Sequence, residues 1–291
     1  MINNSTSFCV IGNCQSNPIS IFVEKISPQF KRVLFPAIHL IDLSKLDRIW
    51  EILDKVDIII HQPISDSFGE LGIESLMLKY PDKKYVSFPS VYFDGYFPYL
   101  GYLRRPAGGT VKGVLGDYHD FRVLEAFLQG KGKKEICAIL NSKSSKKVIE
   151  NNINNSLERL RVREELLDVK INTFIKNNVF SMKLFHVFNH PSNAVMIYIA
   201  QEIVKNLGGE LTPITTKNEA LGSVRFPVDS YLIDYFGKNQ ERSYTLTTSR
   251  HNEVVLNQNE FVEKQLEIYK KTGGLKQLYK YALKRRELIG Y

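Results

Sequence analysis

The sequence predicts an α/β fold: a mostly parallel sheet with helices on both faces in the N-terminal third, and a mainly helical remainder. Three observations predict it. Strand-like and helix-like patterns alternate through the first hundred residues, which implies βαβ units, a parallel sheet and right-handed crossovers. Asp57-Ile58-Ile59-Ile60 lacks polar alternation, as expected of a strand covered on both faces. Phe8-Cys9-Val10-Ile11 reads as a buried strand that Gly12-Asn13 breaks, with a thiol at Cys14 and a helix-compatible segment from Pro18 to Ile26 behind it.

The elements follow in order. Strands are expected at Phe8–Gly12, Arg32–Phe35, Asp57–His61 and Tyr85–Phe88, and helices at Ile19–Ile26, Leu43–Lys55 and Phe68–Lys79. Pro18 suits a first helical turn, where its missing N–H costs nothing. The third strand ends in His61-Gln62-Pro63 and the fourth in Ser87-Phe88-Pro89-Ser90, so three strand ends converge on the rim that carries Cys14. Residues 92–109 are aromatic and rich in Gly and Pro, which reads as an ordered loop or lid. Residues 117–129, 144–177 and 192–207 carry helical periodicity, and Ser156–Lys176 reads as one long amphipathic helix. Leu184 to Asn193 reads as a short buried strand delivering Asn189 and His190 to a turn, with Ser192 or Asn193 capping the next helix. Residues 1–215 form the expected α/β domain, with its parallel sheet in 8–100 and a helical part in 117–210. Residues 216–291 form a helical extension packed on the same unit.

Composition narrows the classes. The chain has 291 residues, 43% of them apolar and 24% charged, as in ordinary globular proteins. No apolar run approaches the ~20 residues of a spanning helix, and residues 1–7 do not form a secretory signal. Cys9, Cys14 and Cys137 are an odd number with no metal-type spacing, and Cys9 and Cys14, flanking a strand end, poorly suit a structural disulfide, which points to a reducing cytosol. The net charge of +8 suggests an anionic partner. There is no GxGxxG after the first strand, no Walker A sequence and no recognised nucleic-acid motif.

The chemistry concentrates on the rim. A nucleophile needs a base within reach and donors for an oxyanion. Cys14 supplies the thiol, and a helix N-terminus behind it lowers a thiol pKa and favours thiolate; alternatively, Cys14 is a small residue that packs the turn. Gly12 accommodates positive φ and lets a ligand approach the backbone. His190 in Asn189-His190-Pro191 is the best base. The backbone N–H of Gln15 or Ser16 is the expected oxyanion donor, with amides from Asn13, Gln15 or Gln62. His61 and His119 are further imidazoles assigned to ligand binding, and Arg104-Arg105 is a candidate phosphate clamp. His39, His186 and His251 are left to structure or surface, and Arg159, Arg161 and Arg163 to the charged face of a helix.

These segments together resemble the WcbI family: Gly12-Asn13-Cys14-Gln15, Gln62-Pro63-Ile64, the run Pro89–Pro98, Arg163-Glu164 and Asn189-His190-Pro191, in this order over about residues 8–210. The resemblance implies a cytoplasmic capsular polysaccharide biosynthesis enzyme that binds coenzyme A or acetyl-CoA as co-substrate, needs no metal, and O-acetylates a sugar or glycan acceptor. A lipid-linked acceptor would bring such an enzyme to a membrane surface; no nucleic acid is implied. The implied site is similar to that of SGNH esterases, with Cys14 in the serine position, His190 as the catalytic histidine, and Gln15 and Asn189 beside them. The chain departs from that pattern in having Val187, not Asp, three residues before His190. Two alternatives keep the same residues: an esterase or thioesterase, and a non-catalytic glycan- or nucleotide-binding protein.

Overall fold

The computed structural model describes residues 5–236, 243–247 and 252–288. His251, part of the 1–7 segment and the end of the expected C-terminal extension lie outside them. In chain order, β1 (Thr6–Ile11), α1 (Ser16–Ile26), β2 (Phe30–Arg32), α2 (Asp47–Asp54), β3 (Ile58–His61), α3 (Ile73–Lys79) and β4 (Lys84–Ser87) come first. They are followed by β5 (Leu100–Tyr102), β6 (Tyr118–Asp120), α4 (Phe121–Leu128), α5 (Lys133–Asn141), α6 (Lys146–Glu164) and α7 (Asn172–Asn178). The last part holds β7 (Phe185–Val187), β8 (His190–Pro191), α8 (Asn193–Asn206), β9 (Val224–Arg225) and α9 (Ser230–Phe236), then β10 (Tyr244–Thr247), β11 (Glu253–Leu256), α10 (Gln258–Lys271) and α11 (Leu275–Leu288).

The chain divides into two compact units whose segments interleave. The first comprises the chain up to Tyr92, Arg159–Asn178 and His190–Leu221. Its four-stranded sheet has the order β2-β1-β3-β4 and is parallel throughout, with Phe8 opposite Ile58 and Ile58 opposite Lys84. The chain steps outward from β1 to β2 and then back across β1 to β3. With right-handed crossovers this reversal puts α1 and α2 on opposite faces. One face carries Cys9, Ile11 and Ile59 against Ile49, Leu53, Leu71 and Leu76. Phe8, Val10, Ile58 and Ile60 point the other way and are equally buried. The crevice outside the carboxyl ends of β1 and β3 is where such a sheet binds ligands.

Several boundaries differ from the sequence pattern for local reasons. β2 stops at Arg32 because only Val33 N–H continues the ladder, to the Phe8 carbonyl at 2.7 Å, and Leu34 is already 61% exposed. α2 starts at Asp47, not Leu43, because the Asp42 carboxylate accepts the N–H and hydroxyl of Ser44 and fixes a turn there. Gly69, at φ 58°, breaks the 3-10 stretch Asp66–Leu71 that precedes α3. The expected helix Ser156–Lys176 breaks after Glu164, whose buried carboxylate accepts the N–H groups of Ile171 and Asn172 and so caps α7.

The second unit comprises Phe93–Glu158, Val179–Asn189 and the chain from Gly222 onward. Its aromatic core stacks Phe93 on Phe185 and Tyr244 on Phe261, with ring centroids 4.8 and 3.9 Å apart. β5 and β6 pair antiparallel. Within the expected helical extension 216–291, β9, β10 and β11 form an antiparallel sheet in the order β11-β10-β9. Tyr244-Thr245-Leu246-Thr247 and Glu253-Val254-Val255-Leu256 carry the β-branched and aromatic residues that suit a pleated surface.

Candidate active site

The loops after β1 and β3 are tied together by buried amides of the first unit. Gln62, at the end of β3, crosses the β1 turn: its Oε1 accepts the Asn13 N–H (2.9 Å) and its Nε2 donates to Gln15 Oε1 (3.1 Å). Gln15 is fully buried, donates through Nε2 to the Val91 carbonyl (2.7 Å) and accepts the Val91 N–H (3.1 Å). Asn13 accepts the Gln15 N–H (2.9 Å) and donates to Ser90 Oγ (2.9 Å). Gly12 makes the crossing possible, since a Cβ there would lie 2.7 Å from Gln62 Oε1. The glycine's role is close approach by this side chain; it is not among the positive-φ glycines.

This network revises two expectations. The N–H groups of Gln15 and Ser16 are committed inside the turn, to Asn13 Oδ1 and to the Asn13 carbonyl (3.0 Å), and the Gln15 and Gln62 amides hold loops together. They fix the position of Cys14 and are not poised as oxyanion donors. Cys14 is half-buried, and burial pushes its thiol pKa up; the local backbone lowers it by less. The thiol precedes the cap residue Gln15 rather than lying in α1.

His61 is buried on the same rim. Its Nδ1 contacts the Gln62 carbonyl at 3.0 Å; a carbonyl only accepts, so Nδ1 carries the proton and Nε2 the lone pair. Burial lowers its pKa, opposed by the Gln62 hydrogen bond and the charge of Asp168. Asp168 in turn accepts the N–H and hydroxyl of Ser87 (2.7 and 2.6 Å) at the end of β4.

His190 also belongs to the first unit, and the helix it precedes fixes its neighbourhood. α8 packs on α1. After α8 the chain returns to the foot of α1: Thr212 N–H donates to the Ile26 carbonyl (2.9 Å), and a Cβ on Gly209 would lie 2.6 Å from Phe30 and 3.0 Å from Ser27 Oγ. The two helices therefore run parallel, with their N-termini at one end of the unit. Cys14 stands just ahead of one N-terminus and His190 just ahead of the other. Ser192 occupies the N-cap position of α8 without a side-chain cap bond, and the Asn193 N–H is taken by Glu219 (2.7 Å).

The remaining candidates lie in the second unit. Asn189 accepts the Tyr118 hydroxyl (2.8 Å). Arg104 and Arg105 are exposed; Arg104 sits over the Tyr102 ring at 5.2 Å, and the Arg105 N–H donates to the Gly109 carbonyl. His119, expected to meet a ligand, is instead a core histidine. It is fully buried, with Nδ1 at 3.0 Å from the Tyr269 hydroxyl and Nε2 at 2.9 Å from the Val111 carbonyl, and burial lowers its pKa. Sequence reasoning did not find the roles of Asp168 or Asn193, whose partners are 81 and at least 23 residues away. Among the described residues, no cluster of His, Cys, Asp and Glu could hold a metal ion, and no helix is long and apolar enough to cross a membrane.

Comparison with known proteins gives the family and the fold. Residues 7–212 match the family model described as polysaccharide biosynthesis enzyme WcbI. A solved structure described as WcbI, a novel polysaccharide biosynthesis enzyme, in its native form without a disulfide bond between CoA and Cys14, superposes with a TM-score of 0.74. It is 20% identical, and the match covers 98% of this chain and 96% of that one, which shows a shared fold. No curated protein sequence matches the chain.

Proposed function

Because the chain belongs to the WcbI family of polysaccharide biosynthesis enzymes, we propose that it is an acyl-CoA-dependent O-acetyltransferase acting on a sugar unit of a capsular or other surface polysaccharide. The observation that carries this reading is the parallel pairing of α1 and α8, one opening just after Cys14 and the other just after His190. The solved neighbour's description, which names CoA and a cysteine together, supports a thiol at the site. A cytoplasmic location suits three free thiols and an acetyl-CoA supply, and a lipid-linked acceptor would be met at the membrane surface.

In this reading His190 takes the Cys14 proton as the thiol attacks the acetyl carbonyl of acetyl-CoA. The thioester bond breaks, the CoA sulfur leaves with that proton, and the acetyl group is held on Cys14. The sugar hydroxyl then attacks this new thioester while His190 takes the hydroxyl proton, which goes to the departing Cys14 sulfur. Burial keeps the resting thiol neutral, so activation at the moment of attack suits the site better than a standing thiolate. The same observation favours a second reading, direct transfer. There His190 deprotonates the sugar hydroxyl for attack on acetyl-CoA itself, and Cys14 only shapes the site.

Acceptor-dependent CoA release tests the function. His190→Ala is expected to lower turnover about a hundredfold or more, the range of a lost general base. Full activity in His190→Ala, or equal CoA release with water as the only acceptor, contradicts the transferase reading.

A further inference from the structure

In the second unit α5 and α10 pack on each other, and Gln258 at the start of α10 is tied to α5. Its Nε2 donates to the Cys137 carbonyl (3.0 Å), while the Cys137 thiol donates to Asn259 Oδ1 (3.2 Å). Asn257 caps α10, its Oδ1 accepting the Glu260 N–H (3.0 Å). Beside this junction lies a groove of about 520 Å³, walled by Asn141 at the end of α5, by Val255 of β11 and by the first residues of α10. Its volume is in the range of small-molecule sites.

The wall carries amides and no charge. Ser243 completes it, so no Lys, Arg, Asp or Glu side chain lines the groove. A phosphate or carboxylate meets no cation there, and an ammonium group meets no carboxylate. Nor does an aromatic ring line it, so a nucleobase has no face to stack on. What the wall offers is unspent hydrogen-bonding capacity. Asn257 and Asn259 each engage their oxygen and keep the N–H donors of Nδ2. Gln258 engages Nε2 and keeps Oε1 as an acceptor. Asn141 is exposed and presents a donor and an acceptor together. A sugar hydroxyl both donates and accepts, and the exposed Val255 gives the C–H face of a ring an apolar surface to lie on.

We propose that this groove is a carbohydrate subsite of the second unit, which takes an uncharged sugar residue of a glycan through Asn141, Asn257, Gln258 and Asn259. The choice of a glycan among neutral polar ligands rests on the family of polysaccharide biosynthesis enzymes to which the chain belongs. It does not rest on the acetyl transfer proposed above.

The test is binding of the full chain to an array of neutral, acidic and phosphorylated oligosaccharides, with no acetyl-CoA present, at two salt concentrations. Wild type is compared with Asn141→Leu/Asn259→Leu, whose two positions are exposed. Wild type is expected to bind neutral members with an affinity that salt leaves unchanged, since no ion pair forms. The double variant is expected to bind them about tenfold or more weakly, the scale of losing two neutral hydrogen bonds, and to keep its melting temperature. If the double variant melts early, Asn141→Leu alone decides, because its amide caps no helix and holds no loop among the described residues. Equal binding by the variant that keeps its melting temperature, no neutral member bound by wild type, or binding to acidic members alone overturns the subsite. The outcomes stay separate from the transferase reading. Loss of acceptor-dependent CoA release leaves glycan binding on the array intact, and an array without binding leaves acetyl transfer at Cys14 standing.

Discussion

Cys14 and Cys9 differ in what surrounds them, and that difference is measurable. Cys9 is fully buried in β1, and its thiol is pushed up to about 12. Cys14 is half-buried and raised in the same direction. An acid whose pKa is raised has its anion only above its ordinary range. Iodoacetamide is therefore expected to label Cys14 slowly at pH 7 and faster as pH rises above about 8.5, with Cys9 unlabelled in the native protein. Rapid, pH-independent labelling of Cys14 at neutral pH would show a standing thiolate and contradict this electrostatic account. The amides beside it are structural. Gln15→Ala strands the Val91 N–H and Gln62 Nε2 and is expected to cost about 1–3 kcal/mol in denaturant unfolding. The importance of Gly12, Asn13, Gln15 and Gln62 was legible from their position at strand ends. That they bind each other was not, because Asn13–Ser90 and Gln15–Val91 are pairs 77 and 76 residues apart in the chain.

The elements whose cause is local were readable in sequence. The unbroken Ile58-Ile59-Ile60 run forms the buried β3, and Gly12-Asn13 ends β1. Where a side chain decides the boundary, the periodicity misled: Glu164 ends α6 and caps α7 through N–H groups beyond its own helix, and Asp42 delays α2. The pairing of α1 with α8 depends on contacts between residues far apart and carries no local signal. It makes Asn193 a sharp test. Asn193→Ala removes the anchors of Thr216, Asn218 and Ala220, and is expected to cost about 2–3 kcal/mol, by leaving buried donors and acceptors unpaired. A loss below about 0.5 kcal/mol would mean that the segment from Thr216 to Ala220 does not depend on this side chain.

At the scale of the whole molecule, the first unit is not complete until the chain has returned through His190–Leu221, because α1 needs α8. A fragment of residues 1–110 is expected to give no cooperative thermal transition; a stable fragment would show that α1 and the sheet suffice. Two of the buried histidines, His61 and His119, give the molecule an acid limit. His61 and His119 are neutral and have lowered pKa values, so the unfolded chain binds more protons than the folded one below about pH 6.5. Their full contribution is present above that pH and is lost as pH falls through the folded values, so denaturant midpoints should decline from pH 7 to pH 5, less steeply in His119→Gln. The transferase account is tested most directly by intact-protein mass spectrometry after brief mixing with acetyl-CoA. The account predicts one added acetyl group on wild type, absent in Cys14→Ala, and discharged when the acceptor sugar is added. No acetyl on wild type, together with near-normal turnover in Cys14→Ala, would contradict the covalent role given to this thiol.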